Sequence, residues 1–514
     1  MYLTKSLYKE FLSFPKLAFW HLNNKEIYKK INDNLYWNMN WAEVWQSIED
    51  VVLKIFEWKQ ISEVKLNSFY NYHVNYDKLS RSILESNPDV SYQFWFLYKD
   101  LFAKADFLVK NELWTYDLVE VKSKNNILTT WDDQKLLPDL NYDISFQAYV
   151  IKKAIWNLFS WKSYLYYLNK EYVKDWAIDP KSLIKIEDVT HYLLDDNVLE
   201  DTIETVRNDL KLSEKEFNLK YPFEWKDYFI YYWEDPEKNS VYSFTKLTTS
   251  KAKLQHIVNR WKLLIDDIDE SDLEIFWSEE DESSFERFIR LYKRWEVVDT
   301  EAIRNIFKNL KFPLYFYDYE TVSSPIPIFD WTHPWQSVIV QYSLHKMEEN
   351  WSIKHSEYII DRWVSDNKEV IDNFYKDVGN PEGTFIVWNK SFECSRNNET
   401  SIMYPEYKEF FEKVNSQTFD LMDIFKNQHY FHPDFKWSAS IKKVLPVLTD
   451  ISYDDLEVCN WWAATELLQK IVLWTIDENI YNETVTNLLT YCKQDTWAMV
   501  EIYRKILEKI NDNS

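Results

Sequence analysis

Two glycines among 514 residues are too few for the turns that a large α/β chain must make. Glycine takes φ > 0 without steric cost, and hairpin turns, helix ends and bulges call for that conformation repeatedly. The same chain carries 26 tryptophans. Together the two residue types approach the roughly 7% that glycine alone ordinarily takes. Placement points the same way. Asn350-Trp351 stands between two strand candidates, where Asn-Gly would form a type I′ hairpin turn that a bulky side chain resists. Trp114, Trp176, Trp331 and Trp437 stand in similar turn contexts, and Trp461-Trp462 would set two rings side by side in a polar loop. We therefore expect many of these tryptophans to be glycine in the native protein, the gene reading UGA as glycine. Ordinary tryptophans would instead be buried and packed.

A hydrophobic share of 46% supports real cores, and the length points to two or three domains. No run of about 20 apolar residues appears. The opening Met1-Tyr2-Leu3-Thr4-Lys5-Ser6 lacks the apolar core of a signal peptide, so a soluble, cytoplasmic chain without membrane contact is expected. Cys394, Cys459 and Cys492 lie far apart with no Cys-x-x-Cys spacing, which indicates neither a disulfide framework nor a thiolate metal site. A net charge of −24 argues against a protein that coats nucleic acid by bulk electrostatics. It is compatible with an acidic centre neutralised by metal ions, with Lys122-Ser123-Lys124, Lys152-Lys153 or Lys442-Lys443 gripping a backbone.

In the C-terminal third, Leu314-Tyr315-Phe316-Tyr317-Asp318-Tyr319-Glu320 reads as a strand bounded by Pro313 and Ser323-Ser324-Pro325. Alternation puts Asp318 and Glu320 on one face, where a hard divalent cation could bridge them. Thr384-Phe385-Ile386-Val387 reads as a second buried strand leading into Asn389-Lys390-Ser391-Phe392-Glu393. The stretch from Leu488 to Asp495 reads as a helix, which makes Tyr491 and Asp495 neighbours on one face. Asp420 and Ser440 to Pro446 add polar groups nearby, and His345 is expected to be structural.

This ordered set resembles the DnaQ-like 3′–5′ exonucleases of the DEDD class, in the variant whose last motif carries Tyr. The resemblance implies an RNase H-like fold with a mixed sheet. It also implies two ions, Mg²⁺ or Mn²⁺, held by Asp318, Glu320, Glu393 and Asp495, with Tyr491 orienting the attacking water. The family usually has Asp where this chain has Glu393, which moves the ligand oxygen by one methylene.

Nearer the N-terminus, Phe102 to Lys110 reads as a strand, Asn111-Glu112 as a turn and Tyr116 to Ser123 as the hairpin partner. Glu120 and Lys122 share a face, and pairing brings Asp106 close to Glu120. An amphipathic helix over 41–57 carries Glu43 near its start, and another beginning near Asp143 carries Gln147. Asp followed by Glu-x-Lys resembles the PD-(D/E)xK nuclease arrangement. The order helical Glu, Asp, Glu-x-Lys, helical Gln resembles RecB-like nucleases, including the CRISPR-associated exonucleases. The resemblance implies a restriction-endonuclease-like domain with Asp106, Glu120 and Glu43 as metal ligands, Lys122 polarising water and phosphoryl charge, and Gln147 in the site. Such relatives commonly hold an iron–sulfur cluster on four cysteines. Here Phe14 precedes Pro15 and aromatics fill Pro222 to Tyr232, so no cluster is expected and apolar packing is expected in its place.

Pro325-Ile326-Pro327, Asn389 to Glu393, Ser440 to Pro446 and Tyr491 to Asp495 together resemble an uncharacterised bacterial domain-of-unknown-function family that pairs a RecB-like module with a DnaQ-like one. The expected organisation is a nuclease-type module over 1–244, a charged helical linker over 245–310 and an exonuclease-type module over 311–514. The expected function is that of a metal-dependent nuclease of DNA or RNA, in repair, processing or defence. The alternative is a non-catalytic nucleic-acid-binding scaffold with decayed centres.

Overall fold

Apolar runs of the sequence become the strands of separate sheets, covered by amphipathic helices. The computed structural model describes residues 2–29, 41–65, 72–129, 134–221, 240–241, 251–260, 262, 264–273, 284–362 and 366–512. The chain divides into two units. One comprises Met1–Phe223, Ser324–Pro327 and Trp331–Trp335, and the other Glu224–Ser323, Ile328–Asp330 and Gln336–Ser514. The boundary therefore falls before residue 244, and the stretch expected as a linker groups with the second unit. The expected aromatic replacement for an iron–sulfur site, Pro222 to Tyr232, lies outside the described residues.

The first unit is built on a mixed seven-stranded sheet. Its strands are β1 (Leu3–Thr4), β2 (Ile61–Glu63), β3 (Val90–Tyr98), β4 (Leu101–Lys110), β5 (Tyr116–Lys122), β6 (Phe159–Leu168) and β7 (Ile184–Asp188). The order is β2-β3-β4-β5-β6-β7, and β1 pairs in parallel with the first residues of β4. Strands β4 and β5 form the expected hairpin, in a register that sets Phe107 opposite Val119. Helix Lys5–Ser13 follows β1 directly, its start capped by the Thr4 hydroxyl, which accepts from the Leu7 amide at 3.2 Å. Helix Pro138–Ala154 packs on β3 and β4.

In the second unit, β8 (Val297–Val298) pairs with β14 (Tyr430–Phe431), and a five-stranded sheet forms the centre. That sheet comprises β9 (Leu314–Val322), β10 (Val338–Met347), β11 (Ile353–Ile359), β12 (Thr384–Val387) and β13 (Thr418–Asp420). Its order is β11-β10-β9-β12-β13. Strands β9, β10 and β11 run antiparallel in succession, while β12 pairs in parallel with both β9 and β13. Strand β9 is central, which explains why its aromatic run is buried on both faces instead of alternating. Helix Tyr481–Asp512 lies against β9 and β10. Among the described residues no helix is long and apolar enough to cross a membrane.

The two glycines both sit where a side chain is resisted. Gly379 ends a helix at φ 67°, and a Cβ on Gly383 would meet the Pro313 carbonyl oxygen at 2.1 Å. Among the described residues fifteen others have φ > 0, and nine of them are tryptophans: 114, 161, 176, 295, 331, 335, 351, 437 and 474. All five singled out in turn contexts are in this set. Most of these rings project into solvent, Trp176 at 83% exposure and Trp114 at 67%. Trp437 is the buried exception, at 8%. Trp461 and Trp462 do not lie in a loop. They form the first turn of helix Trp461–Val472, capped by Asn460, because the capping amide ends the preceding polar segment.

The expected recoding makes two demands. The codons at these nine positions should be UGA, with peptide masses of the native protein showing glycine. A chain synthesised with tryptophan should gain stability on Trp351→Gly or Trp176→Gly by about 1–2 kcal/mol each, the cost of left-handed backbone for an L-residue. UGG codons, or unchanged melting temperatures, would contradict the expectation.

Candidate functional sites

The second unit gathers carboxylates from three separated segments into one cavity of about 400 Å³. Strand β9 supplies Asp318 and Glu320, helix Lys390–Met403 supplies Glu393, and helix Tyr481–Asp512 supplies Asp495 with Tyr491 one turn before it. Each segment is fixed locally. Asp420 accepts from the backbone amides of Asn389, Lys390 and Met422 at 3.1, 2.9 and 3.1 Å, which holds the start of the helix bearing Glu393. Asn389 itself sits at φ 101°, a conformation Asn tolerates better than most residues. Gln341, opposite Glu320 on β10, donates to the Leu488 carbonyl at 2.8 Å and ties the long helix to the sheet. His345 is buried, with Nδ1 2.8 Å from the Thr496 hydroxyl.

Burial pushes all four carboxyls up, and repulsion from neighbouring acids adds to it for Asp318, Glu320 and Glu393. Asp318 is raised by desolvation and then by Asp495, Glu320 by desolvation and then by Asp318, and Glu393 by desolvation and then by Asp318. Asp495 is raised by desolvation to about 6, held from going higher by Tyr453 and Lys442. Glu320 Oε2 and Glu393 Oε2 are buried with no hydrogen-bond partner among the described residues. Clustered, desolvated carboxylate oxygens without donors fit a hard divalent cation such as Mg²⁺ or Mn²⁺.

Three more residues join this site: Tyr453 and Cys492, which the sequence reading gave no role, and Lys442, read there only as part of a basic pair. Tyr453 donates to Asp495 Oδ1 at 2.6 Å. Lys442 donates to the Tyr491 oxygen at 3.2 Å. Cys492 Sγ lies with Asp318 and Glu320 carboxylate oxygens in a group no more than 4.8 Å across. Burial, followed by the Asp318 and Glu320 charges, pushes its thiol up.

The first unit places Asp106, Glu120, Lys122, Asp143, Glu49, Lys5 and Lys9 around a cavity of about 960 Å³. Glu120 Oε1 accepts from Lys122 at 2.6 Å and Lys5 at 3.0 Å, and its Oε2 accepts from Gln147 at 2.6 Å. Asp143 Oδ2 accepts from Lys122 at 2.6 Å and Lys9 at 2.9 Å. Asp106 Oδ2 accepts from the Val121 amide at 3.0 Å. Strand β3 is distorted at Gln93, which has φ 61° and is skipped by the ladder where it would face Asp106. Its side chain donates to Glu49, which also accepts from Tyr92 at 2.6 Å.

Electrostatically this centre differs from the other. Burial alone would raise Glu120, but the Lys122 and Lys5 ammoniums hold it down at about 2. Asp143 is likewise held below the usual range by Lys122, Lys5 and Lys9 against the effect of burial. Asp106 faces desolvation and the Glu120 charge, which push it up to about 8. Of the expected site residues, Asp106, Glu120, Lys122 and Gln147 come together. Glu43 belongs to helix Trp41–Ile55, but its side chain lies outside the described residues. The same helix brings Glu49 to the cavity, a residue the spacing did not single out.

Residues 315–440 match the family described as "Domain of unknown function (DUF2779)". The match takes in Asp318, Glu320 and Glu393 but stops short of Lys442, Tyr491 and Asp495. The chain is 30% identical over 242 residues to the uncharacterised protein MG366 of Mycoplasma genitalium, covering 43% of this chain and 36% of that protein. It is 27% identical over 248 residues to the uncharacterised protein UU173 of Ureaplasma parvum, covering 44% and 36%. The chain thus spans little more than a third of the length of these curated relatives. The crystal structure of SSO0001 aligns at 11% identity over 38% of this chain and 88% of that one, with a TM-score of 0.16. The sequence matches support a family of unknown function.

The carboxyl cluster predicts an unusual pH profile. A raised carboxyl binds its proton more tightly folded than unfolded, so its contribution to stability is full below pH about 4 and is lost as pH rises through the folded value, about 6 for Asp495. In EDTA the melting temperature should therefore fall between pH 5 and 7.5. Mn²⁺ should restore it far more at pH 7.5 than at pH 5, and Asp318→Asn should flatten the profile in EDTA. A melting temperature indifferent to pH and to Mn²⁺ would contradict the electrostatic account.

Proposed function

We propose that the protein is a metal-dependent nuclease whose principal centre lies in the second unit. The observation that carries this reading is the cavity in which Asp318, Glu320, Glu393 and Asp495 meet, two of their buried oxygens having no donor among the described residues. The β11-β10-β9-β12-β13 order, with β9 central and carrying two of the acids, supports an RNase H-like module of the DnaQ type. In the first unit, the hairpin bearing Asp106, Glu120 and Lys122, with Gln147 on the helix above, supports a PD-(D/E)xK module of the RecB-like type.

In the principal centre the four carboxylates would hold Mg²⁺ or Mn²⁺. Such ions lower the pKa of bound water and neutralise the charge that develops on a phosphodiester under attack. Tyr491, whose oxygen accepts from Lys442, keeps its own proton free to donate, which suits it to orient a water beside Asp495. Tyr453 fixes the Asp495 carboxylate by its 2.6 Å hydrogen bond. Glu393 lines the same cavity as the other acids, so the extra methylene does not take it out of the site.

One observation favours the scaffold reading for the first unit alone. Glu120 and Asp143 are both engaged by ammonium groups, so a divalent ion would compete with Lys5, Lys9 and Lys122 for the same oxygens.

A digestion panel tests both. Single- and double-stranded DNA and RNA are incubated with Mg²⁺, Mn²⁺ or EDTA. Cleavage should need the ion, and Asp318→Ala should lower its rate by well over the 100-fold that losing a ligand's supporting partner alone can cost. Glu120→Ala should leave that cleavage unchanged. No cleavage under any condition would favour the scaffold for both units, and loss of all activity in Glu120→Ala would overturn the ranking of the two centres.

A further inference from the structure

Lys442 is the second residue of helix Ile441–Leu448 and stands half-buried in the wall of the second unit's cavity. Two acceptors hold its ammonium from the protein side, the Cys459 carbonyl at 2.9 Å and the Tyr491 oxygen at 3.2 Å. The Tyr453 and Tyr491 rings each lie 5.0 Å from it, close enough for cation–π attraction. Among the described residues no carboxylate forms an ion pair with it, although four stand in the same cavity. An ammonium has three donors, and two are used. The third N–H remains for a ligand.

The carboxylate side of this cavity attracts only cations. A phosphodiester brought against metal ions there keeps a negative oxygen on its other side, and a preorganised ammonium is the group that such an oxygen requires. We propose that Lys442 is a phosphate-binding catalytic residue of this centre, donating its third N–H to a non-bridging oxygen of the scissile linkage in a single-stranded nucleic acid. Its N–H to the Tyr491 oxygen at the same time sets the direction of the tyrosine's own proton. The assignment rests on the nuclease reading of the second unit.

The test measures binding of fluorescein-labelled DNA and RNA oligonucleotides by anisotropy with Ca²⁺ as the divalent ion, together with cleavage in Mn²⁺. Each strand is made with ordinary phosphates and with uncharged methylphosphonates at the 3′-terminal linkages. Lys442→Met should weaken binding of the all-phosphate strand about tenfold and reduce the slope of log affinity against log salt by about 0.7, the value for one contact to a single strand. Lys442→Arg should keep most of both. On the methylphosphonate strand Lys442→Met should cost nothing, because the charge it meets is already gone. Lys442→Gln, which retains a donor for the Cys459 carbonyl, replaces the Met variant if the latter does not fold. Equal losses on both strands would overturn the phosphate contact. Cleavage silenced by Asp318→Ala but unchanged by Lys442→Met would overturn this assignment and leave the nuclease reading standing. A wild-type chain that neither binds nor cleaves any strand would overturn both.

Discussion

Mutual repulsion among desolvated carboxylates is the constraint on which the second unit's arrangement turns. Two like charges 4 Å apart repel by about 4 kcal/mol near a protein surface, and four acids share one cavity here. The fold sustains them by anchoring each to something rigid. Strand β9 lies in the middle of its sheet, Asp420 clamps two backbone amides at the start of the Glu393 helix, and Gln341 ties the Asp495 helix to β10. Because the backbone cannot spread, burial first and the neighbouring acids second push Asp318, Glu320 and Glu393 up. A divalent cation offers a route to relief. The site is thus built at a cost to stability, as is common where side chains are arranged for chemistry.

The first unit solves a similar problem with built-in counterions. Its short β1 pairs with the start of β4, and the helix that follows is thereby directed across the cavity with Lys5 and Lys9 one turn apart. Those ammoniums, with Lys122, surround Glu120 and Asp143. The ammoniums hold both carboxyls below the usual range against the effect of burial. Only Asp106 keeps the elevated titration seen throughout the other site.

Much of both sites was legible because strands and helices have short, fixed periods. Alternation pairs Asp318 with Glu320 and Glu120 with Lys122, and helical spacing pairs Tyr491 with Asp495. The hairpin register that brings Asp106 to Glu120 follows from a turn visible at Asn111-Glu112. Other partners carry no such signal. Lys5 is 115 residues from Glu120 and Lys9 is 134 from Asp143, distances at which no local period applies. Glu49 is one of several acids on an amphipathic helix, and nothing in the spacing tells which of them turns toward Asp106. Tyr453 and Lys442 reach the second centre from the segment between Ser440 and Asn460, where polar residues have no regular pattern. The charged stretch after 245 groups with the second unit, through contacts that composition does not encode.

The tryptophans on left-handed backbone also bear on how the surface behaves. Trp114, Trp176, Trp295, Trp331 and Trp474 each expose more than half of a large apolar side chain. Soluble monomers keep such surface in small scattered patches, and aromatic rings standing free at turns are the groups that adhere to one another and to other proteins. A polypeptide made with indole rings at those turns would therefore be sticky as well as strained. Its tendency to associate in a test tube would reflect the rings and not a native quaternary state.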